Sequence, residues 1–351
     1  MRRIFITGGS GFIGSTLIRE LLKDTANSVL NFDILTYAGN NESLREVYHL
    51  PNYKFIQGDI ADEQYLDKVF NEFCPNIVYH FAAESHVDRS IDDAKPFLHS
   101  NVIGTFTVLG VVLNYWRGLP NNSAKQFRML HISTDEVYGS LGNDGEFTEE
   151  TRYAPRNPYS ATKAASDHLV RAWHYTYGLP ILITNCSNNY GPYQNPEKLI
   201  PKSIVSAISG EPLTIYGDGR HIRDWLFVED HVRALLRVMS SGRVGETYNV
   251  GGENQHSVTE TVLMICNLLD QKRPQTNGTK YSDLICFVSD RLGNDFRYAV
   301  NASKLQTELG WQQDYDFAAG LEKTVDWYLE NEWWWKPIQL WQAPNTKNKK
   351  S

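Results

Sequence analysis

A short apolar run, Arg3-Ile4-Phe5-Ile6-Thr7, leads without a break into Gly8-Gly9-Ser10-Gly11-Phe12-Ile13-Gly14, and Ser15 to Leu22 continue with apolar residues at helical spacing. Strand, glycine turn and helix in that order leave few folds open. Glycines at 8, 11 and 14 permit a tight turn, a close approach of backbone to a pyrophosphate, and close packing of helix on strand. The helix N-terminus then presents unpaired N–H groups to the phosphates. The same spacing also fits an ordinary strand-to-helix turn, so a second mark is needed. It comes at Asp33, which closes the run Ser28-Val29-Leu30-Asn31-Phe32, 19 positions after Gly14. A dinucleotide fold puts there the carboxylate that holds the adenosine ribose hydroxyls. That carboxylate repels a 2′-phosphate, and no Arg follows it in Ile34-Leu35-Thr36. The expected cofactor is therefore NAD rather than NADP. Asp59-Ile60, after the run Tyr53 to Ile56, falls where such folds contact adenine.

Strand-like runs at 3–7, 28–32, 53–57, 76–81, 127–133 and 180–185 alternate with helical stretches. That alternation predicts an α/β fold, a Rossmann-type doubly wound parallel sheet with a smaller C-terminal substrate-binding lobe. The expected division is 1–190 for cofactor and catalysis, 191–340 mainly for substrate, and 345–351 as a disordered tail. Trp225 to Val228 and Glu246 to Val250 are candidates to return strands to the core. Asn121 to Lys125 reads as a polar loop, Ser140 to Asn157 as a loop near the site, and Trp333-Trp334-Trp335 as packing of a terminal segment. A net charge of −7 without a basic stripe argues against nucleic-acid binding, so an anionic substrate must be held by a few local cations. No signal peptide and no apolar run of membrane-spanning length is expected. Cys74, Cys186, Cys266 and Cys286 form no C-x-x-C pair and read as buried thiols, with no metal site, in a cytoplasmic protein.

His131-Ile132-Ser133 closes an apolar strand, so Thr134, Asp135 and Glu136 stand at its carboxyl end, where open α/β sheets bind ligands. Tyr159 and Lys163 lie four apart on an expected helix and face the same way. The Lys163 ammonium is expected to lower the Tyr159 pKa. The phenolate then takes a hydroxyl proton while hydride leaves the same carbon, and Thr134 hydrogen-bonds that oxygen. Asp135 and Glu136 add what a plain alcohol dehydrogenase does not need. Oxidation of a sugar at C4 acidifies the hydrogen at C5; one carboxylate removes it while a protonated one helps the C6 hydroxyl leave as water.

Longer stretches carry a specific resemblance. Thr134-Asp135-Glu136-Val137-Tyr138-Gly139, His80 to Ser90, Pro158 to Ala164, Asn185 to Pro192, Pro196 to Pro201 and Ile222 to Leu226 resemble the signatures of the dTDP-glucose 4,6-dehydratase family, within the extended short-chain dehydrogenase/reductases. The likeness runs from residue 1 to about 330. It implies a hydro-lyase of deoxysugar biosynthesis that acts on a sugar nucleotide, most simply dTDP-glucose, with NAD. By the same resemblance Asp135 is the acid at the leaving hydroxyl, Glu136 the base at C5 and Tyr159 the base at C4, supported by Lys163 and Thr134. Gly8, Gly11, Phe12, Ile13, Gly14, Asp33, Ile34, Thr36, Asp59 and Ile60 match cofactor contacts. Phe81, Ala82, Ala83, Ser85, Ser100, Tyr159, Lys163 and Asn189 complete that set. Ser85, Thr134, Asn188, Lys198, Leu199, Tyr216, Arg223 and Arg291 match the sugar-nucleotide site. The resemblance also implies a homodimer paired through helices near 101–117 and 159–177, with a stripe of Val102, Phe106, Leu109, Leu113 and Trp116. Two places depart from the family: Leu292 and Asn294 stand where it has Pro and His, and Gln255-His256-Ser257 follows Asn254 where it has basic residues and an Asn. Both put the thymidine-versus-uridine preference in question.

Two other readings compete. A sugar-nucleotide 4-epimerase or decarboxylase on the same scaffold has no need of Asp135 and Glu136. A non-catalytic NAD-sensing scaffold is expected to lose Tyr159, Lys163 or Thr134, and all three are present.

Overall fold

A computed structural model describes residues 2–290 and 293–342. Arg291, Leu292 and the tail 345–351 lie outside the described residues. The strands are β1 (Arg2–Thr7), β2 (Asn27–Asp33), β3 (Tyr53–Gln57), β4 (Ile77–His80), β5 (Arg128–Thr134) and β6 (Ile181–Cys186), followed by β7 (Asn188–Tyr190), β8 (Leu213–Tyr216), β9 (Ile222–Phe227), β10 (Thr247–Val250), β11 (Gln255–Ser257) and β12 (Ile285–Val288). The main sheet has seven strands in the order β10-β6-β5-β4-β1-β2-β3. Every pairing in it is parallel. Strand order reverses between β1 and β4, so a crevice opens at their carboxyl ends.

The strands read as unbroken apolar runs because helices cover both faces; all six residues of β6 are buried. One face packs Leu17 and Ile18 of helix Phe12–Leu21 and Val232, Leu235 and Val238 of helix Val228–Ser241. The other packs Leu66 and Phe70 of helix Glu63–Phe73, Val108 and Val112 of helix Thr105–Gly118, and Val170 of helix Pro158–Tyr177. A separate core, with Ile204, Ile265, Val325 and Trp335, forms under the smaller β11-β9-β7 and β12-β8 sheets.

One of the expected strand returns holds, and four other expectations need correction. The run 246–250 does return to the main sheet, as β10 beside β6. The run 225–228 does not: Trp225 to Phe227 end β9, which pairs with β7 and β11, and Val228 begins a helix. Asn121–Gln126 is a short helix rather than a loop; Pro120 presets its entry and buried Phe127 anchors its exit. Cys74 and Cys286 are exposed, and only Cys186 and Cys266 are buried. Residues 95–118 form one apolar helix long enough to cross a membrane by length and composition, with 56% of that window buried. Small and polar residues interrupt its apolar sequence, but its inner side fills the core against the sheet.

Trp334 and Trp335 are buried, and their indole N–H groups donate to Ser43 Oγ (3.1 Å) and to the Tyr328 carbonyl (2.8 Å). Two of the three tryptophans thus pack as expected of a terminal segment, whereas Trp333 is exposed.

Candidate active site

The glycine loop forms one wall of the crevice. Gly8 has φ of +71°, and a Cβ there would stand 2.5 Å from the Ala82 backbone nitrogen. At Gly14 it would stand 2.6 Å from the Gly8 carbonyl oxygen. Only glycine fits either place. Helix Phe12–Leu21 begins at Gly11 with no side chain capping it, which leaves its first N–H groups open to an anion. Asp33 is buried; its carboxylate accepts the Ser10 N–H (2.9 Å) and the Leu35 N–H (2.8 Å), tying the glycine loop to the turn after β2. Burial raises its pKa. A π-helical turn over Leu98–Gly104 pushes Ser100 toward the crevice, while buried Asn101 bonds Glu84 and Thr162.

The chemistry-bearing residues come from two elements that meet at the crevice. Thr134 ends β5, and Asp135 and Glu136 follow it in a single 3-10 turn, Asp135–Tyr138. Helix Pro158–Tyr177 begins with a capping box at Asn157 and Ser160, which fixes Tyr159 and Lys163 in its first turns. Asn157 also donates to Glu136 Oε2 at 3.3 Å. The Thr134 hydroxyl donates to Asp135 Oδ1 (3.3 Å), and Asp135 Oδ2 is buried with no hydrogen-bond partner among the described residues. Burial, and then the Glu136 carboxylate, push the Asp135 carboxyl well above the usual range. Two adjacent carboxylates in unlike environments supply an acid and a base.

Lys163 does not act as expected here. Its ammonium donates to the Ile132 carbonyl at 2.9 Å. Tyr159 is pushed well above its ordinary value, by burial first and by Glu136 next, with the Thr134 hydroxyl opposing. The phenol is thus neutral in this arrangement. The Cys186 thiol beside it is pushed up to about 12 by burial and stays protonated.

One continuous cavity is lined by every residue matched above to catalysis or to the cofactor. Of the sugar-nucleotide set, Ser85, Thr134, Asn188 and Lys198 line it as well. Lys198 Nζ donates to the Ser85 carbonyl at 3.1 Å. Leu199, Tyr216 and Arg223 do not line it. Leu199 turns away as the first residue of helix Leu199–Ile208, and Tyr216 is exposed at the end of β8. Arg223 is buried, its guanidinium 4.7 Å from the centre of the Tyr298 ring and 3.1 Å from Asn294 Oδ1. Asn294 therefore holds Arg223, at one of the two places where the sequence departs from the family.

The lining also includes Glu84, Gln194, Asn195 and Glu197, to which the sequence reading gave no role. Arg89 lies 3.6 Å from the centre of the Tyr37 ring and donates to Glu197 at 3.3 Å. Glu84 and Glu197 lie within stretches already singled out, and burial raises both their pKa values. Asn195 reaches the cavity from irregular backbone, which carries no periodic signal.

The chain matches the GDP-mannose 4,6 dehydratase family over residues 5–324. It is 55% identical over 341 residues to the dTDP-glucose 4,6-dehydratase of Neisseria meningitidis serogroup B, covering 96% of each chain. A dTDP-glucose 4,6-dehydratase from Bacillus anthracis, crystallised with NAD, superposes with a TM-score of 0.85 at 43% identity, over 96% of this chain and 100% of that one. A UDP-glucuronic acid 4-epimerase from Bacillus cereus shares the fold (TM-score 0.82, 94% and 99% coverage) at 26% identity.

Proposed function

The chain belongs to the dTDP-glucose 4,6-dehydratase family, and from that premise we propose that it converts dTDP-glucose to the 4-keto-6-deoxy sugar nucleotide, with NAD, in deoxysugar biosynthesis. One observation carries this beyond a plain oxidoreductase: a buried Asp135, its pKa raised by burial and by its neighbour Glu136, in the turn that follows the strand bearing Thr134. The epimerase reading leaves that pair without work, and the epimerase likeness is distant.

The glycine loop, Asp33 and the uncapped helix start fit a dinucleotide without an added group. NAD, when bound, accepts hydride from C4 and returns it at C6. Tyr159 must first give up its own phenolic proton; as the phenolate it takes the C4 hydroxyl proton, and Thr134 steadies the developing charge on that oxygen. Glu136 removes the C5 proton and Asp135 protonates the departing C6 hydroxyl. Lys198 and Arg223 are assigned to the diphosphate and Tyr216 to the nucleoside, on a lobe built mainly from residues 191–340; Arg291 keeps the role that the resemblance implies. Residues 1–190 bind cofactor and carry the chemistry, helped by the helix and strand that return at 228–250. Incubation with dTDP-glucose and with UDP-glucose, read by mass for loss of water, tests the reaction and the base preference together. Unchanged mass with both would overturn the reading.

We also assign a cytoplasmic homodimer. Its expected stripe needs revision, because Leu109 and Leu113 are buried against the sheet. The outward apolar residues are Leu98, Ile103 and Phe106, each about half exposed, and Tyr175 at 79% exposure on the neighbouring helix. Four apolar side chains on two adjacent helices suit pairing with a second copy. A monomer mass in light scattering at micromolar protein would count against it.

A further inference from the structure

Behind the catalytic residues lies a buried ionic group that the reaction as described does not use. Asp167 sits one helical turn after Lys163 and is fully buried. Its Oδ1 faces His131 Nε2 at 3.0 Å. Its Oδ2 accepts from Ser133 Oγ (2.9 Å), Tyr153 OH (2.8 Å) and Asn185 Nδ2 (3.3 Å). His131 and Ser133 belong to β5 and Asn185 to β6, so one carboxylate joins two strands to helix Pro158–Tyr177.

We propose that Asp167 is a positioning residue for the dehydratase reaction: its carboxylate is the countercharge of the Lys163 ammonium, and it clamps the strand that bears Thr134 to the helix that bears Tyr159.

The surrounding charges leave that role to Asp167. Burial lowers the Lys163 pKa, and the Asp167 carboxylate opposes it. The Cys186 thiol on β6 also faces Lys163 but stays protonated, as shown above. From β4, His80 lies 5.3 Å from His131, ring centre to ring centre, and its pKa is held well below the ordinary value by burial, His131 and Lys163. His131 is pulled down to about 4, by burial first and Lys163 next. Both imidazoles are therefore neutral, and His131 donates its Nε2–H to the carboxylate. For Asp167, burial alone would raise the pKa, but His131, Lys163 and Tyr153 outweigh it and hold the group below its usual range. Arg171 on the same helix donates to Tyr153 OH at 2.7 Å, and Tyr138, from the turn after β5, packs edge-on against Tyr153 with ring centres 5.3 Å apart. The cluster thus holds one anion against Lys163.

The test is the pH profile of kcat in the NAD-loaded enzyme, for the parent, Asp167→Asn and Asp167→Glu. Lys163 works charged, so the rate falls as pH rises through its pKa. An anion beside it raises that pKa; removing the charge moves the fall to lower pH. Asp167→Asn should shift the alkaline limb down by about one to three pH units, the scale of a neighbouring opposite charge, and Asp167→Glu should restore it. A limb at the parent's pH in Asp167→Asn, with only a uniform loss of rate, would overturn the proposal. If that variant fails to fold, 15N-lysine NMR of the parent holoenzyme decides, with the Lys163 signal assigned by its loss in Lys163→Met. An ammonium through the neutral range is expected; titration at or below about pH 8, against about 10.4 for an ordinary Lys, would overturn the inference. The inference rests on the dehydratase reading, yet the two fail separately. A parent that makes no product indicts the reading, whereas a working parent with an unmoved limb indicts Asp167 alone.

Discussion

The two sides of the cavity are built in different ways. The cofactor side is assembled from residues that directly follow parallel strands: Gly8 after β1, Ile34 after β2, Gly58 after β3 and Phe81 after β4. Once the sheet forms, those residues have nowhere else to go. The residues proposed for substrate, Asn188, Lys198, Tyr216 and Arg223, are scattered over the chain's second half: Asn188 opens β7, Lys198 caps helix Leu199–Ile208, Tyr216 ends β8 and Arg223 lies in β9. Their joint use depends on packing between separate elements, and Tyr216 and Arg223 do not line the cavity that Asn188 and Lys198 reach. A site fixed by strand ends is rigid and modular; one made by packing is adjustable, and suits the part of the ligand that varies.

The comparison sets an order of consequences. Chemistry is placed at the end of β5 and on the first turns of the helix that meets it, so its loss should be greatest. Tyr159→Phe removes the C4 base and should cut kcat by about a hundredfold to ten-thousandfold, with NAD still bound. Steady-state turnover near the parent's would break the assignment.

Next is the carboxylate pair. Glu136→Gln leaves Thr134, Tyr159 and Lys163 in place, so C4 oxidation should still occur and then stall. Reduced nicotinamide should accumulate on the enzyme while product formation falls by about a hundredfold. Asp135→Asn should lose less, about tenfold, because solvent partly replaces an acid. Glu136→Gln with neither trapped reduced cofactor nor slower product would return weight to the epimerase reading.

A cofactor-side change of shape alone should cost less than a lost reacting group. A Cβ at Gly14 meets backbone at 2.6 and 2.8 Å, and neither atom is the end of a flexible side chain. Overpacking of this kind costs about 1–3 kcal/mol. Gly14→Ala should therefore weaken NAD binding by about five- to a hundredfold in calorimetry. Unchanged affinity would mean that the loop is softer than its contacts imply.

The same contrast explains what the sequence could show. β1 to β6 and the residues at their ends were legible because strand period, glycine spacing and a carboxylate after β2 are local signals, and local signals survive burial. The π-helical turn that aims Ser100 was not legible, since 98–104 shares its composition with an ordinary helix. Nor was the neutral state of Tyr159. From spacing alone, Lys163 four residues on should ionise it; in three dimensions the ammonium turns to the Ile132 carbonyl and Glu136 comes closer in effect. Spacing along a helix says which side chains share a face, but not which carbonyl from another strand competes for them. Asp167 was invisible for the same reason: its four partners come from β5, β6 and the loop at Tyr153.

The smallest expected effect probes the adjustable side. Tyr216 is 38% exposed and ends β8, paired in register with Val288 of β12, on a two-stranded sheet apart from the main one. If the nucleoside rests there, the ring adds contact area that is the same in the ground and transition states. Its loss then raises KM and leaves kcat alone. Tyr216→Ala should raise KM for dTDP-glucose by about fivefold, the equivalent of about 1 kcal/mol, with NAD affinity unchanged. No change in KM would remove Tyr216 from the nucleoside site. A fall in kcat would carry a different lesson: the outer sheet would then help to align the sugar at the strand ends, and the two sides of the cavity would act as one.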